Sequence, residues 1–244
     1  MKILSQLYIY NKYHYNKEME EPILRQENSS KSKPYCNSIR YYYDRTMIYD
    51  FKHLCKNYNK NIYKPELFST TACPKCGAIG QFALHGCYSR YVVYFKEKKL
   101  IYSQIEIKRI KCKPCKTTHA ILPIDIIAYR LLSLLVFLFI INSFYIEETP
   151  ITKIANNIGH SYQFINSVLY SFKKYIHRMH VFFCQTVSQT AVINTCPVSL
   201  LKIILSFKPL VAFQYNYISK NKKPCFMCKY FDESRGPPAG TIPL

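Results

Sequence analysis

Cys73-Pro74-Lys75-Cys76-Gly77 and Cys112-Lys113-Pro114-Cys115-Lys116 are the two stretches that decide the fold. Each stretch holds two thiols separated by two residues, and the tight turn between them aims both sulfurs at one point, as a tetrahedral metal ion requires. Two such pairs complete a metal shell, whereas four unrelated thiols would have no reason to repeat this spacing. The sequence therefore predicts one structural Zn²⁺, held by Cys73, Cys76, Cys112 and Cys115.

The residues between the two pairs predict antiparallel strands. Strand-type segments occupy residues 81–85, 88–95 and 100–110, with a charged turn at 96–99. Metal-binding turns at the ends of such strands define a zinc ribbon. A long hairpin explains why the gap exceeds the roughly 15–20 residues of the commonest double-pair pattern. His85, Cys87 and His119 are reserve ligands by residue type, but four thiolates already close a structural shell, so we interpret them as bystanders.

The charge of the chain is strongly positive. Its 244 residues carry a formal charge of +20, and residues 71–123 alone hold 10 basic and 2 acidic side chains. Such a surplus indicates a polyanionic partner, either nucleic acid or an anionic membrane surface. The cysteine count is odd at 11, with four in metal-binding pairs, and the N-terminus has no secretion-signal pattern. We therefore expect a reducing cytoplasm.

Composition divides the chain into four predicted regions. Residues 1–70 are rich in Tyr, Asn and Lys and predict a loosely ordered arm, with little packing before about residue 45 and a short helix at 49–63. Residues 71–123 form the ribbon, 124–180 a helical region, and 181–244 a helical fragment with a flexible tail. The tail region contains a third thiol pair, Cys225 and Cys228, which we interpret as incidental; a redox enzyme is the alternative.

An apolar run at residues 131–141 predicts a helix that begins near Asp125. The run has 11 residues, and a membrane span needs about 20, so a buried core helix is favoured. The alternative is a membrane-associated protein anchored by residues 126–146, with the basic surplus holding anionic lipid.

A helix-turn-helix is predicted over residues 149–170. Thr149 is a plausible N-cap, Pro150 suits the first helical position, and Gly159 permits a turn that needs positive φ. Ala155 suits the close approach of the two helices, and Ile165 is placed to be buried between them. The second helix is expected to continue to Arg178.

The second helix presents its polar residues outward near its N-terminal half, the part that enters a major groove in such motifs. Gln163 and Asn166 suit adenine edges, and lysines further along suit phosphate. The ordinary alternative is a solvated helix face. The predicted DNA contacts, including basic residues of the ribbon, are Ser161, Tyr162, Gln163, Asn166, Tyr170, Lys173, Lys174, Lys108, Arg109, Lys111 and Lys113.

These motifs carry a resemblance. The order Cys-Pro-x-Cys-Gly, His85-Gly86, then a basic strand into Cys112-Lys-x-Cys115 and Thr118-His-Ala-Ile-Leu-Pro123 resembles the zinc-ribbon head of bacterial insertion-sequence transposases. It is closer to short transposase-like proteins of low-GC bacteria that carry a domain of unknown function. The resemblance spans roughly residues 70–180 and implies the four cysteines as ligands and recognition of DNA. Lys116 departs from it, because the family pattern often has glycine there.

The expected fold class is α+β, with a small antiparallel zinc ribbon, then a helical bundle containing the helix-turn-helix, and a poorly ordered N-terminal arm. No nuclease site fits, because only Asp232 and Glu233 follow Glu148 among acidic residues and two-metal chemistry needs several convergent carboxylates. We therefore expect a non-catalytic, zinc-dependent DNA-binding protein, an accessory, regulator or remnant of a mobile element. Its partners would be DNA and either a transposase or a second copy, with no small-molecule substrate and no membrane.

Overall fold

The structure is a computed structural model of the whole chain. It describes residues 68–96, 99–186, 195–221 and 224–227, together with short pieces at 39–41, 47–50 and 54–55. Strands and helices are both present in these residues, which confirms the predicted α+β class.

The strands form one mixed sheet with the order β1-β2-β5-β4-β3. β2 runs parallel to β5, and every other neighbouring pair is antiparallel. In chain order the five strands are β1 (Ile39–Tyr41), β2 (Met47–Asp50), β3 (Phe82–Lys96), β4 (Lys99–Cys112) and β5 (Thr118–Pro123).

The long hairpin predicted between the thiol pairs is present as β3 and β4. Its register runs from Phe82 opposite Cys112 to Lys96 opposite Lys99, so the hairpin turns at the charged segment, as predicted. The two segments predicted at 81–85 and 88–95 are one continuous strand. A β-bulge beside Gly86, whose φ of 101° a non-glycine residue rarely adopts, is the irregularity that separates them in the sequence pattern.

The N-terminal region differs from its prediction. β1 lies before residue 45, where little packing was expected, and it extends the sheet through β2. Tyr49 belongs to β2 and is fully buried, whereas the sequence suggested that a helix begins there. The reason is a nonlocal one: β2 is stabilised by pairing with β5, about 70 residues further along the chain, and short-range patterns do not report such partners. The tail predicted to be flexible, beyond residue 227 and including Cys228, lies outside the described residues.

Five helices follow the sheet in the described residues. They are α1 (Leu134–Tyr145), α2 (Ile151–Ile158), α3 (Tyr162–Thr186), α4 (Pro197–Ser206) and α5 (Leu210–Asn221). α3 crosses residue 180, where a boundary was predicted, and it continues beyond Arg178.

α1 does not begin at Asp125. Residues 124–133 are turns and isolated bridges, and the N-cap is Ser133, whose hydroxyl accepts the Val136 N–H. The Asp125 carboxylate instead accepts the backbone N–H and the thiol of Cys55, at 2.8 and 3.1 Å. Asp125 is a good N-cap residue by type, but this distant partner engages its side chain.

α1 is the centre of the main hydrophobic core. Most of its side chains are buried, among them Val136, Phe137 and Leu138, and α3, α4 and α5 pack into the same cluster. In the described part of the chain, no single helix is long and apolar enough to cross a membrane. Only α4 and α5 taken together pass on length and composition, and they are bent by 105° where they meet.

α2 and α3 are joined by the sharp turn predicted at Gly159, which has φ 68° and ψ 34°. The Gly159 N–H donates to Asn156 O and the His160 N–H to Ala155 O, the paired bonds of a Schellman ending. Ala155 and Ile165 are both buried. The start of α2 differs from its prediction, because Pro150 occupies the N-cap position without a side-chain cap, and the N–H of Thr149 donates to Ser143 O.

Candidate metal centre

The four predicted ligands lie on two backbone turns of the same shape. We call residues 73–78 the first knuckle and residues 112–117 the second knuckle. In the first, the Cys73 N–H donates to Ala78 O at 2.9 Å and the Gly77 N–H to Cys73 O at 2.8 Å. In the second, Cys112 and Lys116 repeat these bonds at 2.9 Å each, to Thr117 O and Cys112 O. The C-x-x-C spacing therefore produces the same local fold twice.

The hairpin brings the knuckles face to face, because Phe82, nine residues after Cys73, pairs with Cys112 at the end of β4. The Lys113 N–H also donates to Gln81 O at 2.8 Å, so the second knuckle is hydrogen-bonded to the segment that follows the first knuckle. The four sulfurs consequently converge, and all of them lie within 4.8 Å of one another.

The sulfur positions fit a tetrahedral metal ion. The Sγ atoms of Cys73 and Cys115 are 3.6 Å apart, and so are those of Cys76 and Cys112. Four sulfurs at about 2.3 Å from a central zinc would be about 3.8 Å apart. A disulfide bond would need two sulfurs about 2.05 Å apart, so these four cysteines form no disulfide bond with one another. A soft four-sulfur set with this geometry suits zinc, with each cysteine supplying one thiolate.

The four sulfurs differ in their exposure to solvent and in their hydrogen-bond donors. Cys73 and Cys112 are buried, Cys115 is half-buried and Cys76 is exposed. Burial raises the pKa of the Cys112 thiol to about 12 and also raises the pKa of Cys73, although the Cys76 and Lys75 backbone N–H groups oppose the shift at Cys73. The hydroxyl and backbone N–H of Thr117 hydrogen-bond to Cys115 and lower its pKa to about 6. A metal ion entering this centre displaces protons from the two buried thiols.

The three reserve ligands do not share one position. His85 and Cys87 are exposed on β3, beside the bulge. His119, on β5, is fully buried, and its Nε2 atom lies 3.4 Å from the Cys73 sulfur. His119 was interpreted as a bystander, and the sequence carried no sign of this contact, because it depends on how β5 pairs with β4.

The predicted DNA contacts on α3 share one exposed face. All of the contacts predicted here are exposed, counting Ser161, which directly precedes the helix. They are Ser161, Tyr162, Gln163, Asn166, Tyr170, Lys173 and Lys174. The Ser161 hydroxyl also has a local role, because it accepts the Phe164 N–H at 3.2 Å and caps α3. Lys174 Nζ lies 4.7 Å from the centre of the Tyr170 ring. We call this set the α3 face.

A cavity of about 420 Å³ opens along the α3 face. Gln163, Asn166 and Lys173 line it, and Phe144 and Ile151 contribute apolar surface from α1 and α2. The cavity thus lies between α1, α2 and α3, beside the polar residues of the α3 face.

The four basic candidates of the ribbon are not gathered on one face. Successive residues of a strand point to opposite sides of the sheet, so Lys108 lies on the side opposite Arg109 and Lys111. Lys108 also forms an ion pair with Glu106 at 2.5 Å. Lys113 is exposed on the second knuckle. Only part of this basic surface is therefore placed to meet a single partner.

Tyr102 on β4 makes contacts with the helical region that the sequence pattern did not indicate. Its hydroxyl donates to Ile158 O, the last residue of α2, and its ring lies 5.7 Å from that of His160. His160 in turn stacks on Phe164 at 4.2 Å. The β3–β4 hairpin therefore contacts the turn between α2 and α3.

Cys225 is buried, and burial raises its pKa well above the ordinary value. A redox role would require a depressed pKa in at least one thiol of the pair, and Cys225 does not supply it.

Comparison with known proteins gives one family match. The family described as Domain of unknown function (DUF6431) matches residues 73–152 of this chain. No curated protein and no solved structure matches the chain. The match begins at Cys73, includes both knuckles and β3 to β5, and ends at the second residue of α2, so the chain is similar to this family across the four-cysteine cluster and the core helix.

Proposed function

We propose that this chain is a non-catalytic, zinc-dependent DNA-binding protein, related to the DNA-recognition heads of transposases and organised as a zinc ribbon with a helix-turn-helix. The observation that carries the proposal is the α3 face, which combines exposed amides, aromatic rings and lysines on the second of two helices joined by a Gly159 turn.

The charge of this region supports a polyanionic partner. No Asp or Glu occurs from residue 149 to residue 231, so α2 to α5 have no acidic side chain. A helix face that is merely solvated usually carries both signs of charge, often as pairs three or four residues apart. A surface with lysines and arginines but no carboxylates attracts phosphate at long range and does not repel it on contact.

The α3 face also has the chemistry for reading bases. Gln163 and Asn166 lie in its N-terminal half, and their amides can pair with the N6 and N7 atoms of adenine. Lys173 and Lys174 lie two to three turns further along, where a helix in the major groove passes beside the backbone. Affinity would come from the lysines and sequence choice from the amides.

Zinc would act through the ribbon. Zinc bound by all four cysteines would hold the two knuckles together at the end of the β3–β4 hairpin. Tyr102 of this hairpin contacts the carbonyl that ends α2, and this contact links the hairpin to the α2–α3 turn.

The three carboxylates whose partners the structure gives support a role without catalysis. Glu106 pairs with Lys108, Asp125 accepts from Cys55, and Glu147 accepts from Asn142 and Ser143. These partners lie on different elements, so the carboxylates serve separate local contacts and do not converge as two-metal chemistry requires.

The test uses fluorescence anisotropy with zinc-loaded protein on a DNA selected from random duplexes and on a scrambled duplex. Asn166→Ala or Gln163→Ala should cost about 1–3 kcal/mol on the selected DNA and little on the scrambled DNA. Lys173→Ala should weaken both and reduce the log–log salt slope by about one unit. Lys202→Ala, an exposed lysine on α4, is the matched control and should change neither.

Two outcomes would contradict the proposal. Equal weakening of both DNAs by every α3 substitution would mean that α3 does not read sequence. Tighter binding to single-stranded RNA or to anionic vesicles than to any duplex, measured at the same salt concentration, would assign the basic surface to another partner.

A further inference from the structure

His119 is a fully buried histidine beside a predicted metal ligand. Its Nε2 atom lies 3.4 Å from the Cys73 sulfur, a normal distance for a hydrogen bond that involves sulfur. Cys73 itself is only 2% exposed. The contact is therefore shielded from water on both sides.

The chemistry of a metal-bound thiolate sets the direction of this hydrogen bond. A thiolate has no proton and only accepts, so the imidazole must donate its Nε2–H. A histidine that donates through Nε2 keeps this atom from binding the metal, which agrees with four sulfurs already completing the shell.

The negative charge of a zinc ion bound by four thiolates is the reason that a hydrogen bond from His119 would be stabilising. Four thiolates around Zn²⁺ leave two negative charges, and burying such charge is costly unless donors disperse it. The Cys73 sulfur already faces the Lys75 and Cys76 backbone N–H groups. His119 adds a donor from a different element, β5, and its ring packs in a T-shaped arrangement with the Phe82 ring, at a centroid distance of 6.0 Å and an angle of 84°.

From this geometry we infer that His119 is a positioning residue of the zinc centre: it donates Nε2–H to the Cys73 thiolate, fixes the orientation of that ligand and slows the release of zinc. This inference deepens the zinc-dependent part of the proposed function and rests on zinc occupying the four cysteines. It does not depend on DNA binding.

The first experiment measures how fast the full-length, zinc-loaded chain releases zinc to a chromogenic chelator. His119→Leu removes the donor at similar volume and should release zinc at least about tenfold faster, because partners of metal ligands typically change affinity by 10–100-fold. His119→Gln keeps an N–H donor and should recover much of the difference. Ile121→Ala, another buried residue on β5 two positions away, controls for loss of packing without touching a sulfur.

The second experiment needs no variant. In protein loaded with an NMR-active cadmium isotope, scalar coupling between the metal and the His119 Nε2 proton should appear, because the coupling passes through the N–H···S hydrogen bond. Absence of the coupling would overturn the inference. It would also be overturned if His119→Leu released zinc no faster than Ile121→Ala.

The zinc content of the wild-type chain distinguishes failure of the zinc centre from failure of the role of His119. A wild-type chain that retains no zinc would overturn both the zinc centre and the role of His119. A chain that holds zinc tightly, with release rates that ignore His119, would overturn the role of His119 alone.

Discussion

The two knuckles have the same backbone fold but different residues at the same critical position. The fourth residue after the first cysteine has positive φ in both, 74° at Gly77 and 59° at Lys116. Glycine adopts this conformation without penalty, whereas a residue with a Cβ atom is strained there. The second knuckle therefore shows that the paired hydrogen bonds and the sulfur geometry impose the turn even where the residue opposes it.

The knuckles also differ in how their sulfurs are surrounded. The first cysteine of each is buried, but Cys76 is exposed, whereas Cys115 is half-buried and bonded by Thr117. The position equivalent to Thr117 in the first knuckle is Ala78, which has no hydroxyl. The two halves of the candidate metal centre thus have the same backbone shape, but their second cysteines differ in exposure to solvent.

The largest expected effect comes from removing a ligand from each knuckle. Cys112→Ser should abolish zinc retention and unfold the hairpin, because its sulfur is buried and the binding free energy of the metal is folding free energy. Cys76→Ser should weaken zinc binding less, because water can reach the exposed position. Native mass spectrometry and circular dichroism provide the readouts, and a Cys112→Ser chain that keeps its zinc would refute the assignment.

A smaller effect is expected from giving the first knuckle the strain of the second. Gly77→Ala should destabilise the zinc-loaded protein by about 1 kcal/mol, because alanine is strained at positive φ. A Cβ atom at Gly77 would meet no heavy atom within 4 Å, so the cost is conformational and not steric. Denaturant unfolding at a fixed concentration of unbound zinc measures it; Lys75→Ala, exposed in the same knuckle, is the control.

The smallest effect is the reverse substitution in the second knuckle. Lys116→Gly should stabilise the protein by about 0.5 kcal/mol, because relief of strain exceeds the entropy that glycine adds to the unfolded chain. The same unfolding assay applies. If Lys116→Gly destabilises the protein as much as Gly77→Ala does, the lysine side chain contributes a contact that offsets its strain, and the two knuckles are not equivalent.

The parts of the fold that sequence could predict depend on local patterns. The C-x-x-C spacings predicted two turns with converging sulfurs, and alternation predicted the hairpin. Gly159 predicted the left-handed turn between α2 and α3, and the structure has φ 68° there. The zinc ion and the DNA contacts on the α3 face stay predictions.

The parts that could not be predicted depend on distant partners. Asp125 looks like a helix cap, but Cys55 engages its carboxylate, and α1 begins instead after Ser133. Tyr49 gave no strand pattern, because β2 is defined by pairing with β5. His119 was interpreted as a bystander, and only the folded chain places its Nε2 atom beside the Cys73 sulfur.

The parallel pairing of β2 with β5 has a consequence for the order of folding. The connection between these strands, residues 51–117, contains both knuckles and the whole β3–β4 hairpin. Closing so long a loop is entropically costly, and a β3–β4 hairpin that had already formed would make the effective loop shorter. Until β2 arrives, the edge of β5 at Ala120–Pro123 would be open to pairing with another chain. β2 thus covers this edge of β5. A protein trimmed to begin at the first knuckle would expose the edge and tend to aggregate.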